Sequence, residues 1–383
     1  NKGYFRHNPV LPSGGRIHWI VTHPTDSNKL MAIPDGDGIW RTADGGRTWD
    51  PVTDRIPDRL HRSQSNGYCI PVDPDDWNHY FAFMSNGNPV YETFDGGQSW
   101  TRVPNATHKG FKRGYGFKDA QGNMKFIGVE RNTYTGWAGK LWVSDNKGVT
   151  WREVVLTNEQ KDTQSDGSKV AWLQEFAFDP VDRNTIYITT SRGILRSTDG
   201  MAYVNGKFYL ERMSFKVYNQ TKTQLLSEGT SFPVPTSDGP MMIEVHPNDP
   251  NKIWVALGQK GSPLQSAVFY SSDKGLTWIT LRNSVAGIGT GPVFGNEAPG
   301  GWLGGFAVNF KDPTKLYGCS MSSAKSVDGG KTFSEYAWGI RMKGFDPNGE
   351  LNEVSCSRHN ADNHMMVSTP SGRIFRGSDG GML

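Results

Sequence analysis

Two aspartates in one glycine-rich segment are the first residues whose spacing could support chemistry. Asp35 and Asp37 stand in the run Pro34-Asp-Gly-Asp-Gly38. A glycosidase uses two carboxyl groups across the scissile bond, one as the acid and one as the base or nucleophile. Two acids separated by one residue rarely span that gap. Either of them would therefore pair with a carboxylate from another part of the fold or from another domain. The alternative is that the segment is a glycine-rich turn and nothing more.

A second polar cluster is the run Ser357-Arg-His-Asn-Ala-Asp-Asn-His364. His364 or His359 could act as a general acid or base, or bind a metal together with Asp362. The alternative is a solvated loop whose polar side chains cap the strand that follows. We expect His364 to be catalytic, and we expect neither a metal nor a cofactor.

The segment Glu130-Arg-Asn-Thr-Tyr-Thr-Gly-Trp137 is long for a connection between two strands. Arg131, Tyr134 and Trp137 could clamp a ligand there. Polysaccharide lyases use Tyr and His as base and acid, with Arg to neutralise a uronate. A lyase is therefore a further hypothesis, although no fixed spacing among these residues supports it.

A repeated octapeptide indicates which elements position these residues. Its pattern is a small hydroxyl, any residue, an acid, any residue, Gly, any residue, Thr or Ser, and an aromatic. The acid positions 44, 95, 146, 199, 273 and 328 step by 51, 51, 53, 74 and 55 residues. Such a period, with four strands per unit, is typical of a β-propeller. The acid and the hydroxyl groups can hydrogen-bond the backbone of a tight turn, so we expect them to stabilise the fold.

A short apolar strand ending in a His-Pro or Asp-Pro turn occurs before each octapeptide and once more after the last. Seven such strands predict an all-β, seven-bladed propeller that occupies residues 1–383 as a single domain, with an incomplete last blade. The N-terminal segment 4–11 could supply the missing outer strand. Alternatively, the chain is the front part of a longer protein that completes the blade, and we favour this second explanation. His23 and His246 belong to these turns and are expected to be structural.

Propeller geometry places the polar loops on one face. The loop leading into each innermost strand and the loop between the second and third strands open on the same side. Aromatic rings stack on the C–H face of a sugar and polar groups pair with its hydroxyls, but the same mixture suits a protein interface. The residues that we expect to bind substrate there are Asp37, Tyr68, Arg131, Tyr134, Trp137, Arg192, Trp302, His359 and Asp362.

The composition excludes several classes of function. Lys and Arg number 41 against 38 Asp and Glu, so the balance does not favour a nucleic-acid partner. No run of 18 apolar residues occurs, which argues against membrane insertion. Three cysteines are too few for a disulfide framework. The chain starts at Asn1, which fits a secreted or cell-surface protein whose leader has been removed.

The octapeptides resemble the Asp-box turns of the sialidase-type (BNR) β-propellers, in the group that includes sortilin and the family-74 xyloglucanases. The stretch Gly14-Gly-Arg-Ile-His-Trp-Ile-Val-Thr-His-Pro24, followed by Met31-Ala-Ile-Pro-Asp-Gly-Asp-Gly-Ile-Trp-Arg41, looks like the first blade of the xyloglucanases. By that resemblance Asp35 falls at the catalytic base of an inverting glucanase. Ile33 and Pro34 stand where the family has Arg-Thr. The family carries its catalytic acid in a second propeller, which implies a partner carboxyl after residue 383.

Together these observations favour a secreted, carbohydrate-active propeller that binds a polysaccharide or glycan and, if it is an enzyme, hydrolyses a glucan of the xyloglucan type. A further C-terminal domain or chain is a possible partner. The alternative from another class is a non-catalytic interaction propeller, as in sortilin-like receptors or adhesins. A true sialidase is not favoured, because the sequence shows no Tyr/Glu nucleophile pair and no set of three arginines.

Overall fold

The protein is an all-β propeller. The structure, a computed structural model, describes residues 17–34, 38–57, 69–84, 89–130, 139–163, 169–170, 173–233, 241–259, 262–284, 286–294, 304–320, 322–337, 341–345, 351–355, 363–378 and 381–382. Within these ranges the one helix is a single 3-10 turn, Val52–Arg55. No helix in the described part of the chain is both long enough and apolar enough to cross a membrane.

The first three blades are four-stranded antiparallel sheets in chain order. Blade 1 has β1 to β4, which are Ile17–Thr22, Leu30–Pro34, Trp40–Thr42 and Asp50–Pro51. Blade 2 has β5 to β8, which are Val72–Asp73, Asp76–Phe83, Pro89–Thr93 and Thr101–Thr107. Blade 3 has β9 to β12, which are Phe111–Lys118, Met124–Glu130, Leu141–Ser144 and Arg152–Val154.

Blades 4 and 5 carry additional hairpins. A two-stranded sheet of β13 (Asp162–Thr163) and β14 (Lys169–Val170) precedes blade 4. Blade 4 consists of β15 (Phe176–Phe178), β16 (Ile186–Thr189), β17 (Ile194–Ser197) and β20 (Glu211–Arg212), and the hairpin of β18 (Tyr203–Val204) and β19 (Lys207–Phe208) is inserted within it. In blade 5, β21 (Phe215–Tyr218) and β22 (Leu225–Gly229) extend the sheet of β23 to β26, which are Met241–Val245, Ile253–Gln259, Ser262–Ser271 and Thr277–Asn283.

Blade 6 is the last four-stranded sheet, with β27 to β30 at Gly305–Val308, Leu316–Cys319, Ser323–Ser326 and Ser334–Ala337. A separate hairpin follows, β31 (Arg341–Phe345) with β32 (Leu351–Ser355). The final sheet has three strands in the described residues: β33 (Asn363–Ser368), β34 (Ile374–Ser378) and β35 (Gly381–Met382).

The predicted count of seven blades is therefore wrong for the described residues, which form six complete blades. The seventh unit is the three-stranded sheet, and it has no fourth, outer strand in the described part of the chain. That sheet nevertheless packs between blade 6 and blade 1. The backbone N–H of Ile20 lies 2.8 Å from the sulfur of Met365, and Ser371 donates to the hydroxyl of Ser27 at 2.7 Å. The segment 4–11, which could have supplied an outer strand, lies outside the described residues.

The octapeptide turns have the hydrogen bonds that the sequence predicts. In the first of them, Thr42 and Thr48 donate their hydroxyls to the two carboxylate oxygens of Asp44 at 2.8 and 2.6 Å. The backbone N–H of Thr48 also donates to Asp44, at 2.9 Å. Gly46 has φ of 94°, a left-handed conformation that glycine adopts without strain. The acid is thus occupied in holding its own turn.

Aromatic residues that end these turns join neighbouring blades. The indole of Trp100 donates to the carbonyl of Val52 in blade 1 at 2.9 Å, and that of Trp151 donates to Thr107 in blade 2 at 2.8 Å. Burying a large apolar side chain contributes roughly 1.5–3 kcal/mol. Because these indole rings pack between one blade and the next, the apolar core lies between adjacent sheets. The two turn histidines are structural as predicted, because Nδ1 of His23 accepts from Asp26 at 3.0 Å and Nδ1 of His246 accepts from Asn248 at 3.2 Å.

Candidate functional site at the central channel

The innermost strands of the six blades and of the final three-stranded sheet border a central cavity of about 840 Å³. Residues of β1, β5, β9, β15, β23, β27 and β33 line it, together with the turns that follow β1, β5 and β15. Ligand pockets have volumes of about 300–1,000 Å³, so the cavity is large enough for a small molecule. The channel has two ends, and these differ in their chemistry.

Two histidines lie at the end of the channel where the innermost strands begin. The ring centroids of His18 and His364 are 5.2 Å apart, and the residues are 6% and 8% exposed. His18 follows Ile17, which pairs with Pro34, the residue directly before Asp35. The histidine pair therefore stands beside the end of β2, where the β2–β3 connection that contains both predicted aspartates starts.

Backbone and side-chain hydrogen bonds fix His364 in place through its neighbour. The backbone N–H of Asn363 donates to the carbonyl of Ser320 at 2.9 Å, and its side-chain amide donates to the same carbonyl at 2.5 Å. The sequence had placed His364 in a loop before the innermost strand. In the structure it lies within β33, because that strand begins at Asn363.

Arg192 is the second predicted site residue that the structure describes. It is half-buried in the connection between β16 and β17, and its carbonyl accepts from the backbone N–H of Phe232 at 2.9 Å. Among the described residues, no hydrogen bond or ring contact joins Arg192 to His364. The other predicted site residues lie outside the described ranges: Asp35, Asp37, Tyr68, Arg131, Tyr134, Trp137, Trp302, His359 and Asp362.

A buried ion pair that the sequence analysis did not single out occupies the middle of the channel. Arg113 of β9 lies 3.3 Å from Glu175, which directly precedes β15, and the hydroxyl of Tyr115 donates to Glu175 at 2.6 Å. The guanidinium of Arg113 also stacks over the indole of Trp19, 5.3 Å from the ring centroid. Burial, followed by the charge of Glu175, raises the pKa of Tyr115 well above its usual value. The carboxylate of Glu175 is thereby paired with a cation and a hydroxyl group.

A second glutamate on the channel wall lacks such partners. Glu244 of β23 lines the cavity, and no hydrogen bond or ion pair joins its carboxyl to any residue that the structure describes. Burial raises the pKa of Glu244 well above its usual value, and the negative charge of Glu175 raises it further. One acid in the strand Met-Met-Ile-Glu-Val, whose other residues are apolar, is the sequence signal that could have indicated it.

Metal binding has no support in the described residues, in which no group of three or more His, Cys, Asp or Glu side chains is arranged to hold an ion. The described cysteines Cys69 and Cys319 are buried and reduced. Burial raises the pKa of the Cys319 thiol to about 12, so neither geometry nor charge prepares it for chemistry.

Known proteins resemble this chain in sequence and in fold. No family model matches the chain. It is similar in sequence to xyloglucanases. An oligoxyloglucan-reducing end-specific xyloglucanase of Emericella nidulans is 22% identical over 362 residues, covering 86% of this chain and 42% of that protein. The chain spans less than half the length of each of the curated relatives to which we compare it.

Solved structures agree on the fold. An ancestral GH74 enzyme superposes with a TM-score of 0.55 at 16% identity, covering 99% of this chain and 45% of that one. YCF48 from Cyanidioschyzon merolae superposes with a TM-score of 0.52 at 14% identity, covering 97% of this chain and 96% of that one. At these identities the similarity establishes a β-propeller and nothing about activity.

Proposed function

We propose that this chain is a carbohydrate-active propeller that binds and hydrolyses a polysaccharide of the xyloglucan type, and that it acts outside the cell. The observation that carries the proposal is the sequence similarity to xyloglucanases, which extends over most of the chain and is not confined to one blade. Similarity in the octapeptides alone would be shared by many propellers. We also place these octapeptide turns in the Asp-box class on the strength of their repeated acid–hydroxyl hydrogen bonds.

The substrate lies across the face on which the innermost strands begin. Asp35 is the general base, since it directly follows Pro34, whose strand partner Ile17 precedes His18 of the His18–His364 pair. His364 acts at the same mouth, and Asp37 and the aromatic and arginine residues of the neighbouring loops bind the sugar chain. An inverting reaction separates its two carboxyl groups by about 6.5–9.5 Å. The acid is then a second carboxyl group at that distance from Asp35.

Hydrolysis and binding can be measured together on the 383-residue chain. We expect the wild type to release reducing ends from xyloglucan and to be retarded in a gel that contains it. Asp35→Asn keeps the shape of the side chain but removes its basicity, so it should abolish hydrolysis and leave retardation and melting temperature unchanged. Asp26→Asn, in an exposed turn at the opposite end of β1, is the matched control and should keep full activity.

Each other outcome has a defined meaning. Hydrolysis that persists in Asp35→Asn rules out that residue as the base. Retardation without hydrolysis supports a binding propeller, and a rise in ultraviolet absorbance from an unsaturated uronate supports a lyase. If the chain shows neither retardation nor hydrolysis, the proposal is overturned and an interaction propeller is favoured.

A further inference from the structure

The channel cavity opens on the face opposite to the proposed polysaccharide site. Lining residues near the strand starts are buried, such as Trp19, Ile70 and Met365. Lining residues near the strand ends are half-buried or exposed, such as Val72 and Asp75. The described lining is therefore less exposed toward the histidine pair than on the side of the His-Pro and Asp-Pro turns.

Charged groups at this opening are already paired with one another. Lys118 lies 2.7 Å from Asp73 and 3.2 Å from Asp75, and Arg183 contacts Asp75 from blade 4 at 2.5 Å. Lys274 neutralises Asp179 at 2.8 Å. These ion pairs connect different blades around the rim: blade 2 with blades 3 and 4, and blade 4 with blade 5. They leave the charge of the rim balanced, so a ligand gains little by binding there.

Inside the rim the walls are largely apolar. Half-buried hydrocarbon from four different innermost strands borders the cavity: Val21, Val72, Phe178 and Val245. An alkyl chain would bury apolar surface against them, at roughly 25 cal/mol for each Å² removed from water. A charged or heavily hydroxylated ligand would lose hydration there without finding partners.

Glu244 is the exception on this wall. Its carboxyl has no hydrogen-bond or ion-pair partner in the described residues, whereas the carboxylate of Glu175 beside it is taken by Arg113 and Tyr115. The indole Nε1 of Trp19, a residue 1% exposed near the start of β1, also has no hydrogen-bond partner in the described residues. Glu244 is half-buried on the cavity wall. A cation that reached its carboxylate would supply both a charge interaction and a charge-assisted hydrogen bond.

We propose that the channel is a second ligand site, distinct from the polysaccharide face, which takes the alkylammonium group of a primary amine. The ammonium binds the carboxylate of Glu244, and the alkyl stem lies against Val72, Phe178 and Val245. A lysine side chain or a free aliphatic amine has this chemistry. Because Arg113 already pairs with Glu175, Glu244 is the acid of the two that is left to bind a cation. We therefore expect one amine per chain.

Titration calorimetry of the full chain with n-pentylamine tests this site, with pentan-1-ol as the neutral ligand of equal length. We expect pentylamine to bind with one site and pentanol at least tenfold more weakly. Binding should strengthen as the pH rises above the ordinary glutamate range, because the pKa of Glu244 is raised, while an alkylamine, with a pKa of about 10.4 like that of lysine, stays charged. Tyr115, whose pKa is raised, keeps its proton, and the rim cations Lys118 and Arg183, whose pKa values are also raised, stay protonated.

Variants separate the site from the rest of the molecule. Glu244→Gln should weaken pentylamine binding at least tenfold, while Glu228→Gln, an exposed acid of β22 in the same blade, should leave it unchanged. Glu244→Asp keeps the charge and tests whether a misfolded Gln variant explains a loss. Equal binding of amine and alcohol, or full binding by Glu244→Gln, overturns the proposal. Asp35→Asn should bind the amine normally, so failure of the polysaccharide assignment would leave this result standing.

Discussion

His364 packs its ring against that of His18, although almost the whole chain separates the two residues. The contact exists because β33 lies beside β1, which brings the last described sheet against the first blade. It places an imidazole at the end of the channel where β2 ends and the β2–β3 connection starts.

Replacing His364 with glutamine tests whether this imidazole takes part in catalysis. Proton transfer by a positioned side chain contributes about 10²–10⁴-fold to a rate, so we expect kcat/KM on xyloglucan to fall at least tenfold. The pH–rate profile should also change shape, because glutamine does not titrate in that range. A purely structural histidine would change the melting temperature and leave the profile unaltered. His246→Gln, in a turn at the opposite end of its strand, is the control and should keep the wild-type profile.

The pH dependence of stability gives a second test of the channel acid. The folded state holds the proton on Glu244 more tightly than the unfolded state, because its pKa is raised by burial and by Glu175. Its contribution to stability is therefore fully present below the ordinary glutamate pKa of about 4.3 and is lost as the pH rises toward the raised value. Glu244→Gln removes this loss.

We accordingly expect Glu244→Gln to melt at a higher temperature than the wild type near pH 8, with the difference shrinking toward pH 4. Thermal unfolding followed by circular dichroism at a series of pH values measures both trends. The exposed Glu228→Gln should follow the wild type throughout. A constant difference between Glu244→Gln and the wild type at all pH values would contradict the assigned shift.

The turn acids predict the opposite pH behaviour. Asp95 accepts from the hydroxyl of Ser99 at 2.6 Å and from that of Thr93 at 2.8 Å, and the hydrogen bonds lower its pKa to about 2, the Ser99 hydroxyl contributing most. Its stabilisation is therefore present above pH 4 and is lost as the pH falls toward 2. Asp95→Ala should destabilise the chain by about 1 kcal/mol at pH 7 and flatten this acid limb.

Asp95→Asn should flatten the acid limb while largely keeping the stability at pH 7. The chain supplies the precedent, because Asn146 occupies the same turn position in blade 3. It accepts from the backbone N–H of Thr150 at 2.9 Å and donates to the Thr150 hydroxyl at 2.9 Å. Urea unfolding of both variants at pH 7 and pH 3 measures the difference. Equal losses from Asn and Ala at pH 7 would show that the carboxylate charge is indispensable.

Local sequence determined the turns and the propeller class. An acid that bonds a hydroxyl two residues before it and a backbone N–H four residues after it needs no distant partner, as Asp44, Asp95, Asp273 and Asp328 illustrate. The pattern can therefore be identified from eight consecutive residues, and its period indicates the repeated sheet. The same applies to His23, whose ring accepts from the turn that immediately follows it.

Tertiary structure alone decided the arrangement of the channel. The number of complete blades depends on which strands pair at the end of the ring. The octapeptides do not indicate that number. Glu175 and Glu244 lie 69 positions apart in the sequence, and Arg113 lies 62 positions before Glu175. The segments that contain these three residues resemble ordinary inner strands. Their charges interact because three innermost strands converge on one axis. Electrostatic coupling depends on distance in space and on local burial, and a linear sequence specifies neither.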